Sequence, residues 1–428
     1  MSTAAHIKPL EHKIDVQVRV PGSKSFTNRA LIIAALADGT SALHGVSNAN
    51  DSTILLRFLK QLGVEMEQHD DVLTIKGTGG KFKPFHGVLD VEDAGTVMRF
   101  TSALACLIPG ETTLQGTERM HQRPVQGLVD ALKQLGVDIT YLDDEGYPPI
   151  KIHGGNCKGG KVEVDASMSS QFVSALLMIS PMLPADTEII CKGEMVSLPY
   201  IDMTISAMAH FGVTVKHDAH KHYYIKSGQR YKGTDYNIEG DASSASYMFA
   251  MAAISGSSVE VTNLSPNSLQ SDARFADILQ QMGCHITKNG TIKVRGTGAL
   301  RAVQVDMGDM PDTAQTLSVL AAFANGETSI TGLSTLEHKE TMRLVALQTE
   351  LAKMGIESRI DRKSISIRGG APKGVPINTF NDHRMAMSFA VAGIKIGNVS
   401  IEAPEVVRKS FPKFWDTLRT MGINVEMR

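Results

Sequence analysis

Leu62-Gly63-Val64, Leu135-Gly136-Val137, Phe211-Gly212-Val213, Met282-Gly283-Cys284, Met354-Gly355-Ile356 and Met421-Gly422-Ile423 are six versions of one signal: an apolar residue, a glycine, then an apolar residue or cysteine. A glycine in that setting suits the position just past a helix C-terminus, where the backbone turns left-handed. The residues upstream are amphipathic. Ile54, Leu55, Phe58, Leu59 and Leu62 fall on one helical face, as do Phe411, Phe414, Trp415, Leu418 and Met421. The residues downstream alternate as paired strands do: Val64-Glu65-Met66-Glu67, then Asp71 to Lys76 after a turn.

A second signal repeats in phase with the first. Ser23-Lys24-Ser25, Asp93-Ala94-Gly95-Thr96, Ser169-Ser170-Gln171, Asp241-Ala242-Ser243-Ser244, Pro311-Asp312-Thr313 and Asn381-Asp382-His383-Arg384 each lead into an Ala-rich apolar run. Runs such as Ala30–Ala37 and Tyr247–Ile254 are apolar almost all round, which predicts buried helices. The chain thus reads as six strand–helix–strand–helix–strand–strand units with a period of about 70 residues, longer than common solenoid repeats. The expected fold class is α/β: two domains of three βαβαββ units with buried parallel helices. The expected division is 21–239 against 1–20 plus 240–428. The first unit lacks a strand ahead of it, so the strands before Pro21 are expected to pair within the C-terminal domain.

Composition narrows the functional classes. In 428 residues, 42% hydrophobic and 21% charged, there is material for two globular cores. A net charge of −2 gives no general pull toward nucleic acid or an anionic membrane. Met1–Ile14 has no long apolar core of the signal-peptide type, and Ala30–Ala37 is far short of the about 20 residues that span a bilayer. Cys106, Cys157, Cys191 and Cys284 are widely spaced, which fits reduced thiols in a cytoplasmic protein. No metal or cofactor is expected. His217, His220 and His222 lie among Lys216 and Lys221, which suits an exposed hairpin rather than a metal site.

The helix starts carry the chemistry. Each leaves backbone N–H groups unpaired and a partial positive charge, so several converging starts favour anions. Simple capping by Ser, Thr and Asp is the competing reading. Capping alone leaves the neighbouring cations unexplained: Lys24 and Arg29, Arg99, Arg123, Lys339 and Arg343 around Glu340, Arg384 beside His383, and Lys409. Lys24 and Arg29 could grip a phosphate from two sides, with Ser25 donating a hydrogen bond. The glycine spacing of a nucleotide phosphate loop is missing, which excludes ATP by that route.

Eleven stretches in order resemble the 5-enolpyruvylshikimate-3-phosphate synthases of the enolpyruvyl transferase family: PGSKSFTNRALIIAALA, DAGTVMR, GTERMHQRPV, GYPPIKI, SSQFVSALLM, VSLPYIDMT, EGDASSASYMFA, MPDTA, HKETMR, NDHRMAM and RKSFPKF. The resemblance covers essentially the whole chain. It implies two domains closing over substrate at a hinge, with the active site in the cleft and shikimate 3-phosphate on the N-terminal side. It assigns shikimate 3-phosphate to Lys24, Ser25, Arg29, Ser169, Ser170, Gln171, Ser197, Tyr200, Asp312, Thr335 and Lys339. It assigns phosphoenolpyruvate to Lys24, Gly95, Arg123, Gln171, Arg343, Arg384 and Lys409. It implies no cofactor, a monomer, and glyphosate as an inhibitor at the phosphoenolpyruvate site.

Within the implied addition–elimination, Asp312 is expected to take the hydroxyl proton, Glu340 to handle the proton at C3, and Lys24 to neutralise charge and donate a proton. His383 is a secondary candidate, with a hydrogen-bonded structural role as the alternative. Glu340 could instead be a helix salt bridge to Arg343, three residues on. Four positions depart from the family pattern: Asp93 for Asn, Phe100 for Pro, Met342 within a usual KETDR, and Thr335 for Asn. Thr335 can still donate a hydrogen bond. Two other readings remain: a UDP-N-acetylglucosamine enolpyruvyl transferase, which the absence of Cys from Gly116–Val125 disfavours, and a six-repeat scaffold, which would present similar rather than varied surfaces.

Overall fold

The computed structural model describes residues 4–428 and divides into two compact units, Gly22–Ile238 and the segment through Pro21 joined to Glu239–Arg428. Each unit contains three four-stranded sheets and its own continuous hydrophobic core.

Residues 85–154 illustrate how one sheet follows from the repeat. Phe85–Asp90 runs parallel to Gly110–Gln115 across the buried helix Gly95–Ala105. Gly110–Gln115 pairs antiparallel with Ile150–Gly154, which pairs antiparallel with Asp138–Tyr141. The parallel pair needs a helical crossover, whereas the antiparallel pair needs only a short connection. The same order recurs in the sheets around Thr187–Lys192 and Glu327–Thr331.

Three sheets are completed from distant parts of the chain. The first strand beside Thr40–His44 is Asp235–Asn237, in parallel register. Asp15–Val18 lies parallel to Ser258–Val261. Ala4–Ile7 lies antiparallel between Val399–Glu402 and Val425–Met427. Each unit therefore closes its own set of sheets with a strand from the far end of its sequence.

The glycines of the repeat behave as their setting requires. Gly63, Gly136, Gly212, Gly283, Gly355 and Gly422 all have positive φ, between 79° and 106°. A side chain there would meet a steric penalty of roughly 1–2 kcal/mol. One repeat departs from its sequence pattern: Phe411 precedes its helix, which runs Phe414–Thr420. Pro412 disfavours helical backbone at the residue before it. Phe411 remains buried, with its ring edge-on to Phe414 at 5.5 Å between centroids.

The helices Lys24–Leu36, Gly95–Ala105 and Ser170–Ile179 pack on one another in one unit, and Ala242–Ser255, Ala314–Ala321 and His383–Gly393 do so in the other. Their residues are almost entirely buried, as the all-round apolar runs require. Among the described residues no helix is long and apolar enough to cross a membrane. The four cysteines are free thiols, and burial pushes Cys106, Cys157, Cys191 and Cys284 upward in pKa. His217 and His222 sit on the antiparallel strands Lys216–Asp218 and His222–Ile225, with His220 in the turn.

Candidate active site

In Gly22–Ile238 the three buried helix starts differ in how they are capped. Ser23 accepts from the Phe26 backbone N–H, and Ser169 accepts from that of Gln171. The helix Gly95–Ala105 has no side-chain cap, and two arginines gather there instead. Arg99 donates from Nη1 to the Gly95 carbonyl and from Nη2 to that of Pro124, both at 3.0 Å. Arg123 donates from Nη1 to the Asp93 carbonyl at 2.8 Å. Both arginines are buried. A Cβ on Gly95 would lie 2.4 Å from Arg123 Nη2 and 2.8 Å from Arg99 Nη1, so any side chain there would displace the arginines from these positions. Gln171 extends the group, donating from Nε2 to Thr96 Oγ1 at 3.3 Å.

Lys24 and Arg29 leave the same helix but do different work. Lys24 Nζ lies 3.1 Å from Oδ2 of the buried Asp51. Arg29 does not sit at an open helix mouth beside Lys24. It is buried in the joint between helices, where Nε donates to Thr204 Oγ1 at 2.7 Å and Nη2 to the Tyr200 carbonyl at 2.8 Å. Its Nη1 donates to the Ser25 carbonyl at 2.8 Å, and the guanidinium lies 5.3 Å from the Phe100 ring centroid. A planar cation can satisfy fixed acceptors and stack on an aromatic face together. Burial lowers the Arg29 pKa to about 10, which still leaves it charged at neutral pH. Ser170 is buried, while Ser25, Ser197 and Tyr200 are partly exposed; Ser197 has φ 55° two residues ahead of the helix Pro199–His210.

In the other unit, cations and carboxylates form one network. Asp312 meets three cations: Arg384 Nη2 at 2.8 Å, Arg343 Nη1 at 3.0 Å and Lys339 Nζ at 3.3 Å. Glu340 meets Arg343 Nη2 at 2.7 Å and Lys409 Nζ at 3.2 Å. Asp382 takes Arg343 Nε at 2.8 Å. The sequence suggests that Lys339–Arg343 opens a helix, but the helix is Arg343–Lys353, and Lys339 has extended backbone. The Glu340–Arg343 ion pair, the alternative reading of Glu340, forms, although Glu340 stands ahead of the helix, where it also reaches Lys409. Asp312 sits in the short 3-10 turn Pro311–Thr313 rather than in the helix that follows. His383 Nδ1 lies 3.5 Å from Asp382 Oδ1. Thr335 has a buried Oγ1 with no partner among the described residues, while Met342 is exposed.

Burial pushes the Asp312 carboxyl upward in pKa, but Arg384, Lys339 and Arg343 outweigh it and hold it well below its ordinary 3.8. Burial likewise disfavours charge on Arg343, yet Asp382, Glu340 and Asp312 raise its pKa. Lys339 is lowered, chiefly by burial, against the pull of Asp312. A carboxylate with a depressed folded pKa stabilises fully above its unfolded value and loses that contribution as pH falls through the folded value. The stability gap between the native chain and Asp312→Asn should therefore be constant above 3.8 and shrink below it. Thermal unfolding of both proteins across acid pH checks this, and a gap that narrows already between neutrality and the ordinary carboxyl value would contradict it.

Asp51 and Asp382 gained no role from the sequence. Asp382 stands at a recognisable N-cap position, which was the available signal. Asp51 carried none, since its partner Lys24 is separated from it by a helix and a strand.

A family model described as EPSP synthase (3-phosphoshikimate 1-carboxyvinyltransferase) matches residues 10–418. A 3-phosphoshikimate 1-carboxyvinyltransferase of Photobacterium profundum is 43% identical over 415 residues, covering 96% of this chain and 97% of the relative. One from Pasteurella multocida is 43% identical over 429 residues, covering 97% of each. An EPSP synthase structure from Acinetobacter baumannii superposes with a TM-score of 0.84 over the full length of both chains, at 26% identity. With a fold shared along its whole length and sequence matched from residue 10 to 418, this chain belongs to the EPSP synthase family.

Proposed function

We propose that this chain transfers the enolpyruvyl group of phosphoenolpyruvate to the 5-hydroxyl of shikimate 3-phosphate and releases phosphate. The observation that carries the reading is the network in which Asp312 and Glu340 each contact several cations. It puts two proton acceptors among charges suited to phosphate and carboxylate groups.

Shikimate 3-phosphate is assigned to Lys24, Ser25, Arg29, Ser169, Ser170, Gln171, Ser197, Tyr200, Asp312, Thr335 and Lys339. Phosphoenolpyruvate is assigned to Lys24, Gly95, Arg123, Gln171, Arg343, Arg384 and Lys409. The uncapped start at Gly95 and its two arginines support an anion there. The Thr335 hydroxyl has no partner among the described residues, which leaves its hydrogen-bonding capacity unspent. Arg29 has most of its hydrogen-bonding capacity committed to the protein, so it chiefly fixes the helix carrying Lys24 and Ser25.

The 5-hydroxyl oxygen bonds to C2 of phosphoenolpyruvate as its proton passes to Asp312 and Lys24 gives a proton to C3. The tetrahedral intermediate then expels phosphate and loses a C3 proton, restoring the double bond. Glu340, flanked by Arg343 and Lys409, takes the C3 proton, while Lys24 neutralises developing charge and donates a proton. His383 is a secondary participant. No covalent enzyme intermediate is required. Glyphosate is the proposed competitor for the phosphoenolpyruvate site, and the enzyme is proposed to act as a cytoplasmic monomer.

The deciding experiment measures phosphate release from phosphoenolpyruvate with shikimate 3-phosphate, with UDP-N-acetylglucosamine, and with no acceptor. Release with shikimate 3-phosphate alone is expected. Release with the UDP-sugar would change the acceptor, and no release from folded protein would make the chain a non-catalytic relative.

A further inference from the structure

We propose that Asp382 is a positioning residue for phosphoenolpyruvate, acting through Arg343, and that the corner Asn378–Asn381 is built to hold it in place. The inference rests on the reaction proposed above. Asp382 is fully buried. Its Oδ2 accepts from Arg343 Nε at 2.8 Å, while Oδ1 accepts from the Arg384 backbone N–H at 2.8 Å. Capping needs only the second contact. The first fixes one edge of the Arg343 guanidinium, with Nη2 also reaching Asp382 Oδ1 at 3.5 Å, while Nη1 donates to Asp312 and Nη2 to Glu340. One carboxylate thus sets the angle of the cation that touches both proposed proton-moving groups. A planar guanidinium held in this way presents its donors in a fixed direction.

The approach to Asp382 is unusual. Phe380 and Asn381 have φ of 50° and 55°, two consecutive left-handed residues with side chains. Such backbone persists where its surroundings over-determine it. Here Asn378 Oδ1 accepts from the Phe380 N–H at 2.7 Å, and the Asp382 N–H donates to the Thr379 carbonyl at 2.8 Å. The Asn378 N–H donates to Oε2 of the fully buried Glu350 at 3.2 Å. Glu350 and Arg343 belong to one helix, Arg343–Lys353. That helix therefore holds the corner at both ends, at Glu350 and at Arg343.

Asp382→Asn separates positioning from capping, because asparagine is an equally good cap but cannot offer a charged carboxylate to Arg343. The full chain is assayed with each substrate varied in turn. The expected result is a KM for phosphoenolpyruvate raised about 10- to 100-fold, the worth of one charge-assisted hydrogen bond. The KM for shikimate 3-phosphate should stay within a few-fold, and the unfolding temperature should fall, because the buried Arg343 loses one of its counter-charges. Asn378→Ala, an exposed change outside the ionic network, should raise the same KM by a smaller factor. It decides the matter if Asp382→Asn does not fold. Removing a negative charge near bound anions would by itself tighten binding. An unchanged or lowered KM for phosphoenolpyruvate therefore overturns the inference. If the native chain releases no phosphate from these substrates, the reaction reading fails and takes the inference with it; native turnover with unaltered variants sinks the inference alone.

Discussion

Asp312→Asn is expected to lower kcat by about 10²–10⁴-fold, the usual loss when a positioned general base is removed. The KM for either substrate should not rise. The reason lies in charge balance: Lys339, Arg343 and Arg384 all contact the Asp312 carboxylate. A neutral amide leaves those cations less compensated and more attractive to phosphate and carboxylate groups. The same contacts hold Asp312 well below the ordinary carboxyl range, so in the unliganded protein it is ionised but only weakly basic. Anionic substrates drawing on these cations would restore basicity when the hydroxyl arrives. Steady-state phosphate release settles the question, and a kcat within tenfold of the native value would remove Asp312 from the role of base.

Gly95→Ala should raise the KM for phosphoenolpyruvate about 10- to 100-fold, corresponding to roughly 1.5–3 kcal/mol for a displaced charge-assisted contact. The new Cβ would lie 2.4 Å from Arg123 Nη2, 2.7 Å from its Cζ and 2.8 Å from Arg99 Nη1. All three atoms are at the ends of flexible side chains, so they move and the helix does not. The hydrogen bonds from Arg123 to Asp93 and from Arg99 to Gly95 and Pro124 must then reform elsewhere. Alanine is also favoured over glycine in a helix by roughly 0.5–1 kcal/mol, which offsets part of the steric cost. Unfolding temperature should change little, and kcat should fall less than affinity. A native KM for phosphoenolpyruvate in this variant would mean that the Gly95 surface lies outside the substrate site.

Lys24, Arg29, Arg99 and Arg384 were legible in the sequence because each stands at a helix start marked by a polar residue ahead of an apolar run, whereas Arg123, Lys339, Arg343 and Lys409 lie outside those six starts and were given their roles by the family resemblance. The partners of these cations were not legible. Arg343 is 39 residues from Asp382 and 31 from Asp312, and Arg29 is 175 residues from Thr204. Periodicity and capping report on neighbours within a few residues and say nothing about such pairs. Arg29 shows the consequence: a cation beside Lys24 and Ser25 reads as a phosphate ligand, yet packing places it between helices with most of its hydrogen-bonding capacity committed.

The sequence alone determined the repeating unit, the six left-handed glycines, the buried helices and the residues at their mouths. These are local properties: a backbone angle that only glycine adopts cheaply, or a side chain that must avoid water. Tertiary structure alone decided that Asp235–Asn237 completes the sheet of Thr40–His44, and that Ala4–Ile7 enters between Val399–Glu402 and Val425–Met427. It also decided which carboxylate faces which cation. A strand edge accepts any strand of suitable length, and a buried charge needs some partner of opposite sign. Which one is supplied depends on how the whole chain packs.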